Sequence, residues 1–395
     1  MNNKVLNIKY ASASAAYLML LCATMGYTYN FLSQCGYPDG QVGLTITVIS
    51  ILGILGQTYF GSFIDKSKTL DERSFIIITM FISIISSLLL FFIPTTGILP
   101  ILISVIGFTS ASIGTPFLNS MAFIYEKEGF TINYGLGRGV GSAAYAVGSA
   151  ILGKVWALFG TVSFPIYIVV TSALTLATIY LMPKAHKETT VEKETSSISY
   201  LQFFSKYKAI ILPFIAMVCI YFCHMLINTY IAKIIMYILG DSTSSVEGIQ
   251  GTAMFIQAMV ELPTMFLFGW LINKFGIHKL LILSAIAFAI KHIATILCPN
   301  ITIFYGICVL QMFAYAILCP GGVYLANEIV APEDRNKGQA IIGITATAGN
   351  LLASFIGGQL FQITSTYTVF LIGTILSCIG SVLLIISILS LKKKD

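Results

Sequence analysis

Charge is what this 395-residue chain has least of: Asp, Glu, Lys and Arg make up 10% of it, against 57% hydrophobic residues. Soluble domains carry about a quarter charged residues. With a mean hydropathy of +0.89, an ordinary soluble fold is excluded and a polytopic membrane protein is implied. The eight cysteines include no CxxC pair and no zinc-ligand spacing, so no disulfide framework or metal site follows from them. No nucleophile and base pair stands out, which argues against a membrane enzyme. The net charge of +6 comes from short loops and forms no basic stripe with interleaved aromatics. Nucleic acid is therefore not an expected partner.

What the chain has is apolar runs of bilayer length, about 20 residues each. They lie near 10–32, 43–64, 75–94, 98–125, 134–159, 161–182, 209–238, 248–272, 280–298, 301–329, 339–363 and 366–391. The first is too long for a signal-peptide core and lacks a small-residue cleavage site, so it reads as a spanning helix. The pattern predicts an all-α membrane protein with twelve transmembrane helices.

Loop charge orients them. Lys4, Lys9, Lys66, Lys68, Arg73, Lys127, the group from Lys184 to Lys208, Lys274, Lys279, Arg335, Lys337 and Lys392 to Lys394 all fall on one side. The opposite loops, such as SQCGYPDGQ and GDSTSSVEG, hold no Lys or Arg. The positive-inside rule then places both termini in the cytoplasm, with the cytoplasmic membrane as the expected location. Of 22 basic residues, Arg138, Lys154, Lys233 and Lys291 remain within spans. Lys154 and Lys233 lie near outer ends and have room to snorkel. Lys291, about 11 residues or roughly 16 Å into the ninth span, has none. Cys35 and Cys298 both fall on the outer side, where a bond between them is an open question.

The only long polar segment, Pro183 to Lys208, divides six spans from six and reads as a cytoplasmic linker between halves 1–182 and 209–395. Within it, Ile198 to Phe204 is a candidate amphipathic helix on the membrane surface. FGSFIDK at Phe60 to Lys66 recurs as FGWLINK at Phe268 to Lys274; Thr115-Pro116 is matched by Cys319-Pro320, and Arg138-Gly139 by Lys337-Gly338. These matches predict two pseudo-symmetric six-helix halves.

The most informative stretch is YGLGRGVGSAAYAVGSAILG, Tyr134 to Gly153. On a helix Arg138, Ser142 and Tyr145 share one face, while Ala144 and Gly148 form a small-xxx-small pair for close helix approach. Arg138 is read either as a ligand contact or as an arginine snorkelling at a helix start. Glu261 is the acidic side chain placed near the middle of a span, and Lys291 is similarly deep. The two are natural partners, as a coupling pair or as a structural ion pair. Gln257, Thr264, His224, Asn228, Gln311 and Asn350 are further polar residues on interior faces. The run Gly349, Ala353, Gly357 reads as a packing seam.

Over essentially its whole length the chain resembles the major facilitator superfamily. The Gly61-x-x-x-Asp65-Lys66 loop looks like that superfamily's signature between helices 2 and 3. GQTYFGSFIDK, the run Thr115-Pro116 to Asn119, YGLGRGVGSAAY and IKHI at Ile290 to Ile293 resemble its oligosaccharide:proton symporter, lactose permease-like branch. The resemblance implies that Arg138 binds a sugar on which Tyr145 stacks, and that Glu261 and Lys291 belong to a proton-coupling network. It also puts Asp65 and Gly61 at a cytoplasmic gate. Asn119 stands where the branch has a sugar-binding glutamate, which removes disaccharide specificity. Gln311 and Ala314 stand where its helix 10 carries a proton-site histidine and glutamate.

The expected protein is a monomeric secondary transporter in the lipid bilayer, moving a small polar organic solute such as a sugar, glycoside or nucleoside. Proton symport with alternating access is the leading mechanism, with the proton as coupling ion and no cofactor or metal. The substrate contacts expected are Arg138, Tyr145, Asn119, Ser142, His224, Asn228 and Gln311. A proton-coupled exporter and an uncoupled uniporter of the same fold are the alternatives, with a non-transporting sensor behind them.

Overall fold

The computed structural model describes residues 3–67, 69–93, 96–184, 199–240 and 245–391. Most of the expected linker, 185–198, lies outside the described residues, as do Lys68, Lys187, Lys193 and Lys392 to Lys394. Among the described residues all regular structure is helical. The first part contains α1 (Asn3–Gly26), α2 (Thr28–Gln34), α3 (Asp39–Lys66), α4 (Glu72–Phe92), α5 (Ile98–Ile113), α6 (Thr115–Lys127), α7 (Tyr134–Phe159) and α8 (Ser163–Tyr180). A short α9 (Tyr200–Lys206) follows. Then come α10 (Ile211–Thr229), α11 (Ile231–Leu239), α12 (Val246–Phe266), α13 (Phe268–Phe275), α14 (Ile277–Ile296), α15 (Ile301–Val309), α16 (Tyr315–Ile329), α17 (Arg335–Ile363) and α18 (Thr366–Leu391).

By length and composition ten helical segments suit a membrane crossing, or eleven with the pair α12 and α13, which bends by 58°. One of the ten, 134–180, is two crossings. Gly160 takes φ +73 at a 3-10 turn, and α8 packs back on α7. Counted apart, they bring the number among the described residues to the expected twelve.

Five of these twelve spans are broken, which apolar run length does not foretell. The first and fourth break at Tyr27 and Gly114, the seventh and tenth at Tyr230 and at the turn Leu310–Met312, and the eighth at Leu267. The fourth shows why. Pro116 has no N–H, so the carbonyl of Ser112 loses its helical partner. Thr115 Oγ1 and Gln57 Nε2 donate to that carbonyl instead, both at 3.2 Å.

The chain forms two compact units, Met1–Glu192 with Ser245–Ala258, and Lys193–Ser244 with Met259–Asp395. In the first, α7 lies along α1 through glycines. A Cβ at Gly137 would run into the Tyr10 ring, one at Gly141 would meet the carbonyl of Ser14 at 3.2 Å, and one at Gly148 would stand 3.1 Å from Met19 Cγ. In the second, α17 lies along α10 in the same way, where Gly349 faces the Tyr221 and Phe222 backbone and Gly357 faces Leu226 and Tyr230. Tyr27 donates to the carbonyl of Ser149 at 2.9 Å, and Tyr230 to that of Ser354 at 2.6 Å. In each unit a tyrosine at the break in the first span ties it to the fifth. These paired contacts give the internal repeat a physical form.

Candidate functional site

In the first unit the polar residues meet where α1, α6 and α7 converge. Tyr10, Ser14, Tyr17, Leu18, Thr115, Leu118, Asn119 and Arg138 line one narrow cleft. The break at Gly114 shapes it. A Cβ there would stand 2.9 Å from the Tyr17 hydroxyl, which donates to the carbonyl of Ala111 at 2.5 Å. Arg138 is exposed and Asn119 half-buried, so both have polar atoms left for a ligand. Ser142 and Tyr145 follow on α7, both partly buried. The Tyr145 hydroxyl reaches the α1 side, 3.9 Å from where a Cβ on Gly26 would stand. Tyr10, Ser14 and Tyr17 are cleft residues that motifs do not mark. Their i, i+4, i+7 spacing in an apolar span is the signal available for them.

In the second unit, Lys291 on α14 is 3% exposed and Gln311, in the turn that breaks the tenth span, is also 3% exposed. Lys291 Nζ donates to Gln311 Oε1, and Gln311 Nε2 donates to Glu261 Oε1 at 2.7 Å. An ammonium only donates and a carboxylate only accepts, so the amide has one orientation that serves both. The expected pairing of Glu261 with Lys291 is thus mediated by Gln311, a residue expected among the substrate contacts. The turn at Leu310–Met312 makes this possible by bringing a side chain from the tenth span against α14. Ser284 Oγ donates to the carbonyl of Ala314, next to the break, at 2.7 Å.

His224 is 3% exposed on α10, with Asn228 Nδ2 at 3.0 Å from its Nε2. An amide nitrogen donates, so Nε2 accepts and the ring is the neutral Nδ1–H tautomer. Tyr315 stacks on it at 5.2 Å and Phe288 meets it edge-on at 5.5 Å. His292, wholly buried, lies 6.3 Å from His224 ring to ring and shares a 2.7 Å hydrogen bond with Ser377. His292 lies within the IKHI stretch that carries the resemblance, but neither it nor Tyr315, a lone aromatic in an apolar run, is marked in the sequence as a contact.

Asp65 is exposed at the end of α3, and a Cβ on Gly61 would meet nothing within 4 Å. Lys154 is exposed, while the Lys233 ammonium lies 4.9 Å from the Phe361 ring centroid. Cys35 and Cys298, left open as a pair, are both free thiols.

Sequence comparison supplies the family. A model of the Major Facilitator Superfamily matches residues 10–249 and 213–394. The chain belongs to this superfamily. It is a multi-pass membrane protein and a transporter. Among solved structures, a mutant of the nucleoside transporter NupG matches with a TM-score of 0.80 at 15% identity, covering 97% of this chain and 99% of that one. A bacterial homologue of the iron transporter ferroportin, in an inward-facing state, matches with a TM-score of 0.71 at 13% identity, covering 98% and 100%. A bacterial homologue of the human lysosomal transporter Spinster, inward-facing and unoccupied, gives 0.64 at 15% identity, covering 98% and 95%. At these identities the likeness is one of fold. Comparison with curated protein sequences gives no match.

Proposed function

We propose that this superfamily member is a proton symporter for a small polar organic solute, a sugar, glycoside or nucleoside, working by alternating access in the cytoplasmic membrane. The observation that carries the reading is the Lys291–Gln311–Glu261 chain, in which the ammonium and the amide are buried and the carboxylate is partly buried. A membrane-buried carboxylate is costly unless paired or protonated, and such residues mark ion and proton pathways. Glu261 is held by a neutral amide rather than by direct contact with the lysine. Its carboxyl therefore keeps one donor when ionised, and when protonated it still accepts that hydrogen bond, more weakly, at its carbonyl oxygen. A solute hydroxyl or amine competing for the same oxygen would favour one protonation state over the other, which is the requirement for coupling.

Arg138 and Asn119 supply hydrogen bonds in the first unit, with Ser142 and Tyr145 further along the same helix face. His224 and Asn228 offer a second polar pair in the other unit. A nucleoside cargo agrees with the nucleoside transporter among the fold neighbours, and a sugar with the motif resemblance; both present the hydroxyls these groups would bind. The uniporter alternative rests on Ala314, at a position where the related branch has its proton-site glutamate. Glu261→Gln separates the two. A symporter with this change loses accumulation against a gradient while retaining solute exchange, whereas a uniporter shows no accumulation before or after it.

A further inference from the structure

We propose that a groove between α3 and α5 holds an anionic phospholipid of the cytoplasmic leaflet, its acyl chains against the two helices and its phosphate on Lys66. The proposal goes beyond the symport reading and uses none of its residues.

The groove has a volume of about 970 Å³ and extends along α3 from Leu52 to Lys66, with Val105, Ile106 and Ile113 on the α5 wall. The two helices close on each other at Gly56, where a Cβ would stand 2.5 Å from Ile113 Cδ1. There α5 ends, while α3 runs on to Lys66 and leaves Tyr59, Ser62 and Phe63 exposed. Leu44 and Leu102, farther toward the outer end of the same two helices, are exposed as well. An apolar face open over such a length marks a membrane contact.

The chemistry of the groove changes with depth. Its hydroxyls are turned away from an occupant: Thr58 donates to the carbonyl of Ile54 at 3.0 Å, Ser62 to that of Thr58 at 3.2 Å and Ser110 to that of Ile106 at 2.7 Å, while Thr109 Oγ1 is buried beneath the wall. The deep part therefore offers hydrocarbon contacts. Nearer the rim come Tyr59 and Phe63, stacked at 6.5 Å, and then the exposed ammonium of Lys66. Hydrocarbon, aromatic hydroxyl and cation follow one another as acyl chain, ester region and phosphate do in a leaflet. The length agrees too. From Leu52 to Lys66 α3 rises roughly 21 Å, and half a bilayer with its headgroups is roughly 20–22 Å. Lys66 is the charged residue on the wall; Asp65, one position round the helix, does not line it. A single positive charge at the end that loop charge places in the cytoplasm favours an anionic headgroup.

The internal repeat supplies a comparison within the chain. FGSFIDK closes α3 and FGWLINK forms α13, so Ser62 corresponds to Trp270 and Lys66 to Lys274. In the second unit the Lys274 ammonium lies 4.7 Å from the Trp270 ring centroid and 5.4 Å from that of Phe275. Ser62 is too short to cover Lys66 in that way. The small residue leaves open, beside a free-standing aromatic pair, the space that an indole fills in the other repeat.

Native mass spectrometry of the full-length protein, exchanged into detergent with equal phosphatidylglycerol and phosphatidylethanolamine, reads the lipid it keeps. One phosphatidylglycerol should be retained in preference, and its retention should fall about fivefold in Lys66→Gln, the worth of one lysine at an anionic surface. Ser62→Trp, which copies the second repeat, should expel the lipid with the charge intact, and Lys274→Gln should keep it. Added phosphatidylglycerol should raise the melting temperature of the wild type and not of Lys66→Gln. Equal retention of the two lipids overturns the proposal, as does retention unchanged in Lys66→Gln or in Ser62→Trp, or a loss of the same size in Lys274→Gln.

Discussion

Gln311 shows how much one amide is asked to do. It joins an ammonium to a carboxylate through two charge-assisted hydrogen bonds in a largely buried site. Hydrogen bonds to charged groups are worth about 1.5–3 kcal/mol each. Gln311→Leu should therefore lower thermal stability in detergent and abolish accumulation together; a variant with unchanged melting and uptake would show that the chain carries neither structure nor coupling. Arg138 makes a different demand, because its value lies in a planar fork of donors rather than in charge alone. Arg138→Lys should depress uptake by about tenfold or more with normal membrane expression, on the scale of one lost charged hydrogen bond. Wild-type uptake by that variant would remove Arg138 from the site. Both residues are legible in the sequence as polar groups in apolar spans. Their partners are not, because Gln311 reaches Glu261 through a break that apolar run length does not record.

At the scale of helices, what the sequence shows best is close packing. The seam through Gly349, Ala353 and Gly357 is a contact of α17 with α10, and the Gly-rich stretch of α7 is the matching contact with α1. A side chain at Gly349 would begin 2.7 Å from Tyr221 Cβ and 2.9 Å from the Phe222 backbone nitrogen. Gly349→Val should cost about 1–3 kcal/mol through overpacking, read as a fall in melting temperature, whereas Gly61→Ala, with open space around it, should cost nothing measurable. The short α9 is anticipated as amphipathic, but its anchor is not. Ser199 and Gln202 form a capping box, Phe203 is buried, and Lys206 donates to Asp334 at 2.8 Å beside the Tyr207 hydroxyl, also at 2.8 Å. The hydrogen bond from Lys206 holds the Asp334 carboxyl below its usual range, and the same bond pushes the Lys206 ammonium up. A depressed carboxyl stabilises the fold above its unfolded value and loses that contribution as pH falls through the folded one. A raised ammonium stabilises below its unfolded value and loses it as pH rises through the folded one. The anchor should therefore hold across the neutral range and fail at both extremes. Hydrogen-exchange protection of the α9 peptide, taken relative to the intrinsic rate at each pH, should be high near neutrality and lower in acid, with Asp334→Asn low throughout; protection unaffected by that change would assign the docking of α9 to Phe203 alone.

For the whole molecule, apolar runs and loop charge point to twelve helices and the motif resemblance to a major facilitator fold, and the family match and fold neighbours agree. The repeat is visible in three short motifs, yet its structural content lies elsewhere, in Tyr27 and Tyr230 and in spans broken at matching places. Those tyrosines are separated by a whole unit in sequence and carry no motif around them, so only coordinates relate them. The placing of 245–258 in the first unit is equally invisible in the sequence, where Asn30 and its partner Gln250, and Gln34 and its partner Glu247, stand more than two hundred residues apart.

The central claim is that solute and proton move together through Glu261. Its most direct test is the pH of a lightly buffered medium around energy-depleted cells expressing the protein, as sugars, glycosides and nucleosides are added one at a time, with Glu261→Gln run alongside. The account predicts alkalinisation on adding one solute class and its loss in the variant. A medium that stays silent while labelled solute still equilibrates would contradict it, and would leave Lys291, Gln311 and Glu261 as architecture in a uniporter.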